Sequence, residues 1–188
     1  MKSLRPMGLL IVLIAAAAGI ADGQKKNKPG RPVPGVSPTI AVKTKCETNG
    51  LTSAEIADLV AAHNRARAEQ KLPAMVWDCM LANLAQRWAN RGIFEHRGDT
   101  SYGENIFVSS NPGEPVGTVV KTWLGERTNW TNQPGVCSPG KVCSHYTQVM
   151  WHTTVLVGCG INRSSPGTWK TLVVCNYSPV GNTGGPAY

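Results

Sequence analysis

No apolar run in this chain is long enough to cross a bilayer: the longest, Met7 to Ile20, has fourteen residues, against the ~20 that a spanning helix needs. Charge is scarce at 16%, while a hydrophobic content of 41% suffices for a core, so a chain disordered throughout is excluded. Six cysteines occur without any Cys-x-x-Cys spacing, which argues against a metal-thiolate site. Equally missing are a His-Glu-x-x-His helix and a Gly-x-Ser-x-Gly elbow, the marks of a zinc protease and a serine hydrolase. No acidic residue lies between Gly23 and Lys45, where Lys25, Lys26, Lys28, Arg31, Lys43 and Lys45 crowd together. The net charge of +8 is therefore a property of one end, since from Cys46 onward 11 basic residues face 10 acidic ones. A folded basic groove for nucleic acid is not expected.

At 188 residues the chain accommodates one domain with extended ends. Residues 1–23 read as a secretory signal: Lys2 and Arg5 form the positive end, the fourteen-residue run follows, and Ala21-Asp22-Gly23 offers a small-residue cleavage site. Residues 24–45, with Pro29, Pro32, Pro34 and Pro38 among lysines and glycines, read as a solvated linker, and the domain is expected over 46–188. Within it, Thr52 and Glu55 have capping-box spacing, followed by Ile56, Leu59, Val60 and His63 along one helical face. Asp78 can cap a second helix striped by Leu81, Leu84, Ala85 and Trp88 and stopped at Gly92. Pro115 opens a third, with Val116, Val119, Val120 and Trp123 on one side and Glu126 a turn beyond; Ser144 to Trp151 is a short fourth. Strand patterns cover Ala74 to Trp77, Asn105 to Ser109, and a hairpin from Thr154 to Ile161 and Trp169 to Tyr177. Helices and strands mix without regular alternation, so an α+β fold with a small antiparallel sheet is expected.

An exported chain with six cysteines points to three disulfides. The hairpin brings Cys159 to Cys175, the Ser138-Pro139-Gly140 turn closes a ring between Cys137 and Cys143, and subtraction leaves Cys46 with Cys79. Sequons at Asn129, Asn162 and Asn176 are glycan acceptors where exposed, the last the least suited because it adjoins a disulfide.

His63 shares the face of Leu59 and Val60; Glu126, three residues after Trp123, falls on the buried stripe of the third helix; and Glu104 stands in the turn entering a strand. Each has an ordinary reading: a hydrogen-bonded core histidine, a paired carboxylate, a solvated loop. Together with His145 they make a set that can satisfy itself or hold zinc or another divalent cation. The segments Ala62-His63-Asn64-Arg65-Ala66-Arg67, Gly103-Glu104-Asn105, Trp123 to Glu126, His145-Tyr146-Thr147-Gln148-Val149 and Cys175 to Asn182 resemble the cysteine-rich secretory, antigen 5 and pathogenesis-related 1 (CAP) superfamily. The resemblance runs from about Leu51 to Tyr188 and is greatest to the plant pathogenesis-related 1 group, although Ser144 stands where a glycine is usual and Cys46 with Cys79 replaces the third plant pair.

The resemblance implies a disulfide-stapled α-β-α sandwich with a central cavity whose tetrad falls on His63, Glu104, Glu126 and His145. It also implies a secreted, monomeric, non-catalytic defence protein that binds sterols or other lipids, without a required cofactor, and acts on microbial membranes. The loop from Arg127 to Cys143 corresponds to the family's sterol-binding loop, with Trp130 as its apolar contact or as a rim residue beside a glycan. Two alternatives accompany this. One is a metal-dependent hydrolase in which Glu104 or Glu126 acts as general base. The other is a precursor cut before Pro179 to release a signalling peptide.

Overall fold

The Thr52 hydroxyl accepts the Glu55 amide while the Glu55 carboxylate accepts the Thr52 amide, and this reciprocal cap starts α1 (Ser53–Glu69). Asp78 does the same one-sidedly for α2 (Cys79–Ala89), its carboxylate accepting the Leu81 amide. In the computed structural model, which describes residues 46–47, 49–98 and 101–188, these are followed by α3 (Val116–Gly125) and α4 (Ser144–Val149). The signal and linker expected over 1–45 lie outside the described residues. Among the described residues, no helix is long and apolar enough to cross a membrane.

Strands β1 (Val76–Trp77), β2 (Gly103–Ser109), β5 (Leu156–Asn162) and β6 (Thr171–Ser178) form a sheet in the order β1-β5-β6-β2. The hairpin β5–β6 and the pair β2–β6 are antiparallel, whereas the two-residue β1 lies parallel to β5. A second, two-stranded sheet joins β3 (Trp130–Gln133) to β4 (Val136–Cys137) and was not legible in the sequence pattern.

Because side chains alternate across a sheet, each face has its own core. On one face Leu59 of α1, Val119, Val120 and Trp123 of α3, and Tyr146 and Val149 of α4 meet Val157, Cys175 and Tyr177. On the other, Ala85 and Ala89 of α2 meet Ile106, Leu172 and Val174. The result is the three-layer α-β-α sandwich. Glycine sets the spacing of the second interface: a Cβ at Gly158 would stand 2.2 Å from the Ala82 nitrogen, and one at Gly160 would stand 2.4 Å from Gln86 Cα. The α2 backbone therefore seats directly on β5, and the Gln86 amide completes the joint by exchanging hydrogen bonds with the Ile161 backbone at 2.9 and 3.0 Å.

Three disulfides join Cys46 to Cys79, Cys137 to Cys143 and Cys159 to Cys175. The first ties the start of the domain to α2, the second closes the loop before α4, and the third lies in the first core between paired positions of β5 and β6. A buried cation completes the frame. The Arg67 guanidinium, with no exposed surface, donates to the carbonyls of Pro73, Val149, Trp151 and Thr154 at 2.8–2.9 Å. It thereby fixes α1 to the turn that follows it and to the α4–β5 connection.

Candidate functional site

α3 ends at Gly125, one residue before Glu126, which opens a 3-10 turn (Glu126–Asn129) instead of extending the buried stripe. This rotation carries the carboxylate to the start of α4. One oxygen accepts the His145 ring Nδ1 at 2.6 Å, and the other accepts the backbone amides of His145 and Tyr146 at 3.1 and 3.3 Å. The carboxylate thus meets amide groups that the helix itself leaves free. Trp123 stacks on the His145 ring at 6.2 Å and 16°, and the Asn105 amide donates to the His145 carbonyl at 3.0 Å.

Glu104 forms a second pair, with a histidine that the sequence reading passed over. Its Oε1 accepts His96 Nδ1 at 2.9 Å and the Arg97 amide at 3.0 Å. This hydrogen bond holds the His96 imidazole pKa above its ordinary value, overcoming the opposite pull of desolvation. Among the described residues, Glu104 Oε2 is buried without a protein partner, and the buried Asn176, its partner position on β6, has both amide atoms in the same condition.

His63 does not join either pair, and its place in the tetrad is corrected here. It is fully enclosed: Nδ1 donates to the Leu59 carbonyl at 2.7 Å, because a carbonyl can only accept. Nε2, 3.0 Å from the Tyr177 hydroxyl, must then accept, which leaves no lone pair for a metal. Burial pushes its pKa down to about 4, with the nearby Arg67 acting in the same direction and the Leu59 bond opposing. Tyr177 and Asn105 share one face of the sheet, so Glu104, adjacent to Asn105 on β2, leaves the strand on the other. With both ring nitrogens engaged, His63 therefore stands apart from the other three expected residues. Among the described residues, no group of three or more histidines, cysteines or carboxylates is arranged to hold a metal ion. The donor set does not fit the expected zinc site, and no hydrolytic step is routed through it.

Trp130 is also corrected. It is neither a free apolar contact nor a rim residue, being buried with its ring 5.8 Å from Tyr146 and 5.1 Å from Tyr188 and its indole N–H donating to the Gln133 carbonyl. Asn176 is buried and offers no acceptor in the folded chain, while the amides of Asn129 and Asn162 bond the Val142 and Ala89 carbonyls. The segment from Pro179 is built into the fold. Ala187 is buried and its carbonyl accepts the His152 amide, the Tyr188 hydroxyl meets that of Tyr146 at 2.8 Å, and Asn182 bonds Thr147 and Ser144.

Two clefts open nearby, and neither is lined by any of the four expected residues. The smaller, about 200 Å³, lies between the Cys137–Cys143 ring and Asn182 to Gly185. The larger, about 620 Å³, runs between α1, α3 and α4. Ala62, Ala66, Leu124 and Met150 give it an apolar lining, Arg65, Lys121 and Arg127 carry cations on its wall, and Glu69 is its acidic residue. Small residues on α1 and Gly117 on α3 leave the space open.

Three layers braced by three disulfides, with a histidine–glutamate pair at Glu104 and another at Glu126, define a disulfide-stapled α-β-α sandwich. The chain belongs to the cysteine-rich secretory protein (CAP) family, whose model matches residues 60–177. A pathogenesis-related protein of PR-1 type from Sambucus nigra is 38% identical over 132 residues, covering 68% of this chain and 78% of that one. Pathogenesis-related leaf protein 4 of Solanum lycopersicum is 39% identical over 131 residues, covering 66% and 77%. Among solved structures, BmVAL-1 superposes with a TM-score of 0.64 at 28% identity over 77% of this chain and 86% of that one. The likeness to these relatives is that of a PR-1-type CAP protein.

Proposed function

We propose that this chain is an exported, non-catalytic defence protein that binds an amphipathic lipid in the cleft between α1, α3 and α4. The observation that carries the reading is the cleft itself. Its volume of about 620 Å³ lies within the range of sites that enclose small ligands, whereas 200 Å³ falls below it. The apolar lining suits an acyl chain or sterol ring system, and three cations against one carboxylate favour a headgroup that is anionic. Sterols remain within the class through the family resemblance, and withdrawing lipid from a microbial membrane is the action that follows. The hydrolase alternative has less support: the Glu126 carboxylate is taken up by the His145 ring and two backbone amides, and Glu104 Oε1 by His96 and the Arg97 amide.

The test is titration of the purified chain with a fluorescent fatty acid and with labelled cholesterol. Saturable binding of either supports the reading, and tighter binding of the fatty acid supports the headgroup assignment. Absence of saturable binding of both defeats it.

A further inference from the structure

Phe94 and Trp169 stand 52% and 42% exposed, their rings edge to face at 6.4 Å, beside the exposed Ile93. They come from different parts of the chain, the turn after α2 and the connection between β5 and β6. Two hydrogen bonds lock these segments together, Ser165 Oγ to the Gly92 carbonyl at 3.3 Å and Asn162 Nδ2 to the Ala89 carbonyl at 3.1 Å. Gly92 has φ +67°, and a Cβ there would lie 2.7 Å from Pro166. The contact between the segments is therefore as close as a glycine allows, and the apolar tips are held in position. Single exposed apolar side chains are ordinary, but a contiguous set on two interlocked turns is not.

The surroundings are cationic. Arg91 and Lys170 are exposed on these segments, the Arg91 guanidinium lying 4.5 Å over the Trp88 ring, and Arg87 is exposed one helical turn earlier on α2. The acids nearby are Glu95, exposed, and the half-buried Glu114, whose carboxylate accepts the Ser109 hydroxyl beside Lys170. We propose that this surface docks the protein on an anionic bilayer. Ile93, Phe94 and Trp169 enter the boundary between headgroups and acyl chains, and Arg87, Arg91 and Lys170 meet the lipid phosphates. Aromatic rings favour that boundary and cations are drawn to its negative potential, so the two features together match one occupant. The surface belongs to the α2 side of the sheet, so the inference does not depend on the cleft.

The test is co-sedimentation of the full chain with phosphatidylcholine vesicles containing or lacking phosphatidylserine. The wild type should partition onto the anionic vesicles, and the double variants F94S/W169S and R91E/K170E should do so about tenfold or more weaker. Unchanged melting temperatures show that both variants fold. The basic segment before Cys46 is present in every variant, so the ratio reports this surface alone. W169F should retain binding while losing the quenching of tryptophan emission by brominated lipid. Equal partitioning of wild type and both double variants overturns the proposal. So does binding to insoluble polysaccharide, or self-association, that the same substitutions abolish while vesicle binding persists.

Discussion

Replacing Arg67 with methionine keeps most of the side-chain volume and removes the guanidinium that bonds four backbone carbonyls. A buried acceptor left without its partner costs about 1–3 kcal/mol. Four of them would set a ceiling of ~12 kcal/mol, but two effects reduce it. The Trp151 carbonyl keeps a bond from the Thr154 amide, and removing a desolvated cation recovers part of the cost of burying it. Burial draws the guanidinium pKa down to about 10, with the Tyr177 interaction opposing, which still leaves it charged at neutral pH. A net loss of about 3–5 kcal/mol follows, a large share of the stability of an ordinary domain. Thermal melting under non-reducing conditions should fall by about 10 °C or more. Arg67→Lys should lie between, since one ammonium cannot span four carbonyls. If the methionine variant melts within about 1 kcal/mol of wild type, the carbonyls are satisfied by water and the account of this frame is wrong.

Three further outcomes are expected. The folded His63 pKa of about 4 lies below the ordinary unfolded value of about 6.5, so its contribution is fully present above the unfolded value and is lost as pH falls toward 4. The unfolding free energy from urea titration should drop by up to about 3 kcal/mol across that window, and His63→Gln, whose amide can replace both bonds, should flatten the dependence; an unchanged slope contradicts the neutral assignment. Mutating Cys159 and Cys175 together to alanine should cost about 2–5 kcal/mol by denaturant titration, and a smaller loss would mean that the β5–β6 ladder suffices without its staple. Limited proteolysis of the native chain should yield no fragment beginning at Pro179, because Ala187 and Tyr188 are held in the core, whereas Tyr188→Ala should lower stability by about 2 kcal/mol and expose the segment. Ready release from the intact wild type would show that this segment is not structural.

How much could be read from the chain depended on whether the signal was local. The capping box at Thr52, the Asp78 cap and the β5–β6 hairpin announce themselves within a few residues, and the disulfides that the turn and hairpin brought together are those joined in the structure. His96 gave no such signal. It lies in an irregular segment with no periodicity, and its pairing with Glu104 depends on how that segment folds back toward β2. His63, by contrast, sat on an apolar face, and that placement fits a histidine whose nitrogens are both used within the core. Glu126 departs from the expected stripe for a related reason: α3 ends one residue before it, and the 3-10 turn that follows redirects the carboxylate. Arg67 lies among other polar residues of α1, and its burial depends on carbonyls from turns that no pattern in α1 reports. The cleft is a space between three helices, visible only once they are placed.

The central claim is that lipid enters between the helices and not at the histidine–glutamate pairs. Calorimetric titration with oleate compares wild type, Ala66→Trp, which fills the cleft, and His145→Ala, which breaks a pair outside it. Loss of binding in the first variant with retention in the second is the expected result. Retention in Ala66→Trp with loss in His145→Ala would place the ligand elsewhere and contradict the account.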